Sequence, residues 1–161
     1  MDINIRPMAE SDIKAVSEIV SEDYKYLAER EGFSSEQLEQ LLTERSSQIA
    51  IDSWFVNWQC FVTELNGNVI GALAIGQNEI EELWVHPQYH SQGIGTAMFR
   101  KAENIIAKAG YTELTLCSAA VSARQFYVAM GAEVIEQKLC SFGPLVGWLL
   151  THYRKKISSS A

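Results

Sequence analysis

The segment His86 to Ala97 reads HPQYHSQGIGTA, with Gly93 and Gly95 set where an apolar run at helical spacing begins. The first amides of a helix have no internal partner and face an incoming anion. A glycine there lets a phosphate approach the main chain and accepts positive φ. The same residues also fit a tight strand-to-helix turn with no ligand. A dinucleotide fingerprint would need glycine at Met98, and a P-loop would need Gly-Lys-Ser or Gly-Lys-Thr; neither is present.

Just upstream, EIEELWV carries Glu79, Glu81 and Glu82. Strand alternation puts Glu79 and Glu81 on one face with Leu83 and Val85, and Glu82 with Trp84 on the other, unless a bulge reverses them. Solvated charges are the ordinary reading. A carboxylate in a partly dry site can instead take a proton, its pKa raised by desolvation or a neighbouring carboxylate. An alkyl amine is only about one part in two thousand neutral at pH 7, so any attack by an amine would need such an acceptor. Cys117 with His86 or His90 makes a poor nucleophilic pair, since nothing supplies an orienting third group. His86 and His90 are four apart but separated by Pro87, with no HExxH helix, so no metal is expected. His152 is read as a surface residue.

These residues need elements to position them. Ile3 to Arg6 alternates and stops at Pro7, as a short strand does; Ser11 and Asp12 then start a helix with the stripe Ile13, Val16, Ile19 and Val20. Ser34 announces a second helix, capping Gln37 with Phe33 and Leu38 at staple spacing, its face continued by Leu38, Leu41, Leu42 and Ile49. Trp54 to Leu65 and Val69 to Ile75 flank Asn66-Gly67 as a hairpin, and Glu79 to Val85 is a third strand. Ile94 to Ala109 is an amphipathic helix ended by Gly110. Then follow a strand, Tyr111 to Cys117, a short helix, Val121 to Met130, and two strand-like runs, Glu133 to Cys140 and Leu145 to Tyr153. The order predicts an α+β or mixed α/β domain.

Val85 to Gly95, followed by the run ARQFYVAMG from Ala123 to Gly131, resembles the GNAT superfamily of N-acetyltransferases in motif and order. The likeness runs from Glu79 to near Met130. It implies a mostly antiparallel mixed sheet flanked by helices, with residues 1–157 as one acetyltransferase domain; the serine-rich 158–161 is read as a frayed tail. It implies acetyl-CoA as cosubstrate, held by main-chain amides of the loop and by Leu83, Trp84, Val85, His90, Ser91, Gln92, Gly93, Ile94, Gly95, Thr96 and Ser118. An amide of Leu83 to Val85 would polarise the thioester carbonyl. By position in the resembling strand Glu79 is the favoured base, ahead of Glu81 and Glu82, and Tyr127 is the acid for the departing thiolate. The chain departs from the family at His90 (usually Arg or Gln), Ser91 (Gly), Ala120 (Asn) and Ala132 (Phe), with Ser118 or Ser122 standing in for the asparagine.

The expected activity is direct transfer of acetyl to the amine of a small molecule or peptide N-terminus. The alternative is a non-catalytic acyl-CoA-binding or regulatory module. Among the aromatics, Tyr24, Tyr26, Trp54, Trp58, Phe142 and Trp148 are read first as core and second as acceptor-pocket lining. The 161 residues carry 13 Lys plus Arg against 20 Asp plus Glu, a net charge of −7, which opposes binding to a phosphate backbone and favours cationic small molecules. Nucleic acid and membrane are not expected as partners. Three cysteines without CxxC spacing, Cys60, Cys117 and Cys140, read as buried and reduced, so the expected location is cytoplasmic. Exposed strand edges near the C-terminal hairpin and Trp148 predict a homodimer.

Overall fold

The computed structural model describes residues 2–158. One seven-stranded sheet runs in the order β1-β2-β3-β4-β5-β7-β6. Its strands are β1 (Ile3–Pro7), β2 (Gln59–Leu65), β3 (Asn68–Gly76), β4 (Glu79–Val85), β5 (Glu113–Ser118), β6 (Glu133–Leu139) and β7 (Leu149–Lys156). Every neighbouring pair is antiparallel except β4 and β5. Two helices pack on one face, α5 (Ile94–Lys108) and α6 (Arg124–Ala129). The other face carries α1 (Ile13–Glu31), α2 (Ser35–Leu41), α3 (Gln48–Asp52) and α4 (Trp54–Asn57).

The central strand β3 shows why both faces are covered. Its residues Ile70 to Ile75 are all buried, as a strand between two helical layers requires. Leu73 and Ile75 meet Met98, Phe99, Ala102 and Ile106 of α5, while the small Ala72 and Ala74 face Val16, Val20 and Tyr24 of α1.

The hairpin at Asn66-Gly67 forms with both turn residues at positive φ, 52° and 79°, as a two-residue turn demands. β4 keeps its expected bounds, and α5 ends at Lys108, one residue before the expected Ala109. The stretch from Leu42 to Asn57 differs. A π turn over Leu42–Ser46 breaks the second helix, because Ser46 turns inward: its Oγ donates to the Leu42 carbonyl and accepts from Ser21 Oγ, and its carbonyl accepts from Ser17 Oγ. The chain restarts at Ser47 with a new phase, so Ile51 is buried and Ile49 is 86% exposed. Trp54–Asn57 is a helical turn rather than the start of β2, with the Trp54 carbonyl accepting from the Trp58 amide and the Trp54 ring in the core. The last strand begins at Leu149, not Leu145, since Gly143 and Gly147 take positive φ in a turn closed by Cys140 and Trp148.

Other expectations change at the surface. Cys60 is buried, but Cys117 is exposed and Cys140 half-buried; all three are free thiols. Trp148 is not a bare edge residue: it packs edge-to-face on Phe33, with ring centroids 4.9 Å apart. The sheet ends in the edge strands β1 and β6, and β6 is the one exposed along its whole length. Of the tail 158–161, only Ser158 falls within the described residues, and it lies beyond β7. No described helix is long and apolar enough to cross a membrane.

Candidate active site

The parallel pair β4 and β5 meets only at Glu79 with Thr115 and Ile80 with Leu116. From Glu81 onward the two strands diverge, and the β5-facing main-chain groups of β4 have no strand partner. A cavity of about 470 Å³ opens at this fork, within the range of small-molecule sites. Its walls come from β4 (Ile80 to Val85), the loop before α5, the end of β5, α6 and the inner side of α1.

The loop is shaped for an anion. Ser91 and Gly93 both stand at left-handed φ, 60° and 83°, and Gly93 caps α5 with no side chain closing its first turn. A Cβ on Gly93 would meet nothing within 4 Å, so Gly93→Ala is expected to cost about 1–2 kcal/mol through backbone strain alone. A thermal melt of the variant measures that cost, and a weaker response to an anionic ligand is expected with it. His90 Nε2 donates to the Val85 carbonyl at 3.0 Å and its ring meets Tyr26 of α1 edge-on at 4.7 Å, fastening the loop to β4 and α1. At its far end α1 is tied across the opening, where the Ser122 amide and hydroxyl both donate to Glu31, at 2.9 and 2.6 Å.

The bulge between β3 and β4 sets the carboxylates. Ala74 pairs with Glu82 and Ile75 with Ile80, leaving Glu81 unpaired in the register. Consequently Ile80 shares the α5 face with Leu83 and Val85, and alternation moves Glu79 to the opposite face, correcting the grouping of Glu79 and Glu81 with Leu83 and Val85. Glu81 and Glu82 line the cavity and Glu79 does not. Glu82 accepts from the Trp84 indole at 2.5 Å, and burial pushes its pKa up to about 7, with Trp84 and the Arg45 charge pulling the other way. Glu81 is also raised, by burial first and then by its contact with Glu79.

Tyr127 lies half-buried on the opposite wall, its ring against Phe99, Phe126 and Tyr153, with centroids 5.2 Å apart for the last two. Its hydroxyl makes no hydrogen bond to another described residue. Burial raises its pKa above the usual tyrosine value, and the Tyr153, Glu82 and Asp23 groups add to this, so it is a held proton rather than a phenolate.

Of the residues expected to hold the cosubstrate, Leu83, Trp84, Val85, His90, Ser91, Gly93, Gly95, Thr96 and Ser118 line the cavity. Ile94 does not, being 1% exposed and part of the core, and Gln92 turns outward to donate to the Gln88 carbonyl. Ser118 Oγ accepts from the Ala120 amide, so it braces the loop where the resembling family has asparagine. Cys117 lines the cavity with its thiol 3.7 Å from His152 Nε2, a pairing set by the β5–β7 register rather than by either loop histidine. Burial raises the Cys117 pKa, which keeps it a thiol and a weak nucleophile. Of the six aromatics read first as core and second as acceptor lining, Tyr26 lines the cavity, Tyr24 packs behind it on Trp84 at 4.7 Å, and Phe142 is 80% exposed.

The sequence reading missed the α1 wall, namely Asp23, Leu27 and Arg30. The signal for Asp23 was present: it continues the stripe Val16, Ile19, Val20 at three-residue spacing, an acidic residue on a helix face that must be buried.

A family model described as an acetyltransferase (GNAT) domain matches residues 57–131. The chain is 31% identical over 135 residues to an uncharacterised N-acetyltransferase of Methanocaldococcus jannaschii, covering 79% of this chain and 76% of the relative. In fold it is similar to a GCN5-related N-acetyltransferase from Rhodopseudomonas palustris, with a TM-score of 0.86 and 19% identity over 98% of this chain and 97% of the other. It is also similar to the PaiA N-acetyltransferase of Thermoplasma acidophilum in complex with coenzyme A, with a TM-score of 0.76 and 22% identity over 97% and 99% of the two chains.

Proposed function

Since the chain belongs to the GNAT family and is an acetyl-CoA-dependent N-acetyltransferase, we propose that residues 1–157 act as one domain that moves acetyl directly to the amine of a small molecule or peptide N-terminus. The observation that carries this reading is the fork of β4 and β5, which sets a carboxylate and a protonated tyrosine on walls of one cavity that the glycine loop enters. Acetyl-CoA supplies the activated acetyl group and a thiolate leaving group. The residues suit it: left-handed Ser91 and Gly93 present loop amides for a pyrophosphate, and the unpartnered edge of β4 accepts an extended chain with amides of its own.

Glu82 takes the proton of the attacking amine, chosen over Glu79 because it lines the cavity, is raised to about 7 and ionises near neutral pH. An amide within Leu83 to Val85 polarises the carbonyl. Tyr127 protonates the departing sulfur. Burial holds the Tyr127 proton, and the Glu82 charge that adds to this hold vanishes once Glu82 has accepted a proton. The free edge of β6 offers a surface on which a second copy can pair, which light scattering would read directly.

Thermal unfolding with acetyl-CoA, beside desulfo-CoA and NAD, tests the donor. A ligand at 100 times its Kd adds about 2.7 kcal/mol of stability, so a shift specific to CoA forms is expected, followed by amine-dependent thiol release. No shift with millimolar acetyl-CoA would overturn the reading.

A further inference from the structure

Asp23 is a carboxylate on the cavity wall with no donor. The residue is 9% exposed, and its buried Oδ1 accepts no hydrogen bond from any described residue. His90 Nε2 lies 3.2 Å from its Oδ1, but that ring's proton is spent on the Val85 carbonyl. The cation that lines the cavity, Arg30, is turned away: its Nη1 donates to Tyr26 Oη at 2.8 Å, and it forms no ion pair with Asp23. A buried carboxylate left in this state is costly and points to an absent partner.

The two sides of the sheet say which partner. The glycine loop and α5 lie on one face, so the donor's phosphates belong there; Asp23 stands on α1, against the face that carries Glu82 and Trp84. On the reading above the proton of the reacting amine goes to Glu82, and Asp23 is a second carboxylate on that side of the cavity. Its use is therefore to hold a different positive centre of the same molecule. Trp84, also lining the cavity, offers a π face that favours an alkylammonium, whereas the Tyr26 ring is already covered by the Arg30 guanidinium, 5.1 Å from its centroid.

We propose that the acceptor is an amine bearing a second positive charge, with Asp23 binding that second cation while Glu82 faces the amine that is acetylated. This rests on the acetyltransferase reading above. Burial raises Asp23 to about 7, so a bound cation would also be what keeps it ionised.

The test compares alkane diamines with monoamines of equal chain length in thiol release from acetyl-CoA. A charge-assisted contact predicts a kcat/KM ratio favouring the diamine by about tenfold or more at the best length. In Asp23→Asn that preference should collapse to within about twofold, through a higher KM for the diamine, while the thermal shift given by acetyl-CoA persists. A wild-type ratio near one at every length overturns the inference even if Asp23→Asn fails to fold. So does a variant that loses the acetyl-CoA shift and keeps the diamine preference, since Asp23 would then serve the donor's amides. Turnover of monoamines without any preference leaves the transferase standing and removes only this proposal. No acetyl-CoA shift in the wild type removes both.

Discussion

Glu82→Gln is expected to lower kcat/KM by about two to four orders of magnitude, the usual worth of a positioned general base. Glutamine keeps the shape and can still accept from the Trp84 indole, so the fold and the donor site should persist. The pH profile separates this from a packing defect. In the wild type the rate should climb as Glu82 ionises near 7, and in the variant that limb should vanish while the limb set by the amine itself remains. Retention of the limb would pass the role to Glu81 or Glu79. The same substitution should raise stability at alkaline pH. An unfolded glutamate ionises near 4.5, whereas the folded one holds its proton to about 7. Stability present below the lower value is thus lost as pH rises through the upper one, by on the order of 3 kcal/mol for a group this deep. Melting temperatures of the two proteins should converge near about pH 5 and separate in favour of the variant near about pH 8.

Tyr127→Phe should lower kcat by about a hundredfold with acetyl-CoA saturating, because the departing sulfur loses its proton source. The ring contacts with Phe99, Phe126 and Tyr153 are unchanged by the substitution, and the lost hydroxyl has no partner among the described residues. Stability should therefore hold or rise slightly. Full turnover in this variant, measured by thiol release, would exclude Tyr127 as the acid.

Much of the loop side of the cavity was legible without coordinates, since local sequence carries its chemistry. Gly93 and Gly95 ahead of a helical stripe, Pro87 closing β4, and Phe126-Tyr127 before Gly131 each fix a short stretch of backbone, and family likeness supplied their order. The α1 side of the cavity was not legible in this way. It depends on where α1 crosses the sheet, and that is set by contacts between residues far apart in the chain: Glu31 with Ser122, Asp23 and Tyr26 with His90, Ser17 and Ser21 with Ser46.

The carboxylates mark the boundary. The sequence alone determined that three glutamates lie on the strand entering the glycine loop and that an amine's proton needs such an acceptor. Which of them meets the cavity was decided by tertiary structure, because one extra residue at Glu81, opposite Ala74 and Ile75, reverses the alternation for everything before it. The bulge is a property of the β3–β4 pairing, so no reading of β4 by itself could place it. Likewise the serine at position 46 is an ordinary polar residue in sequence. Only burial against α1 makes it the point where one helix ends, another begins, and Ile51 replaces Ile49 in the core.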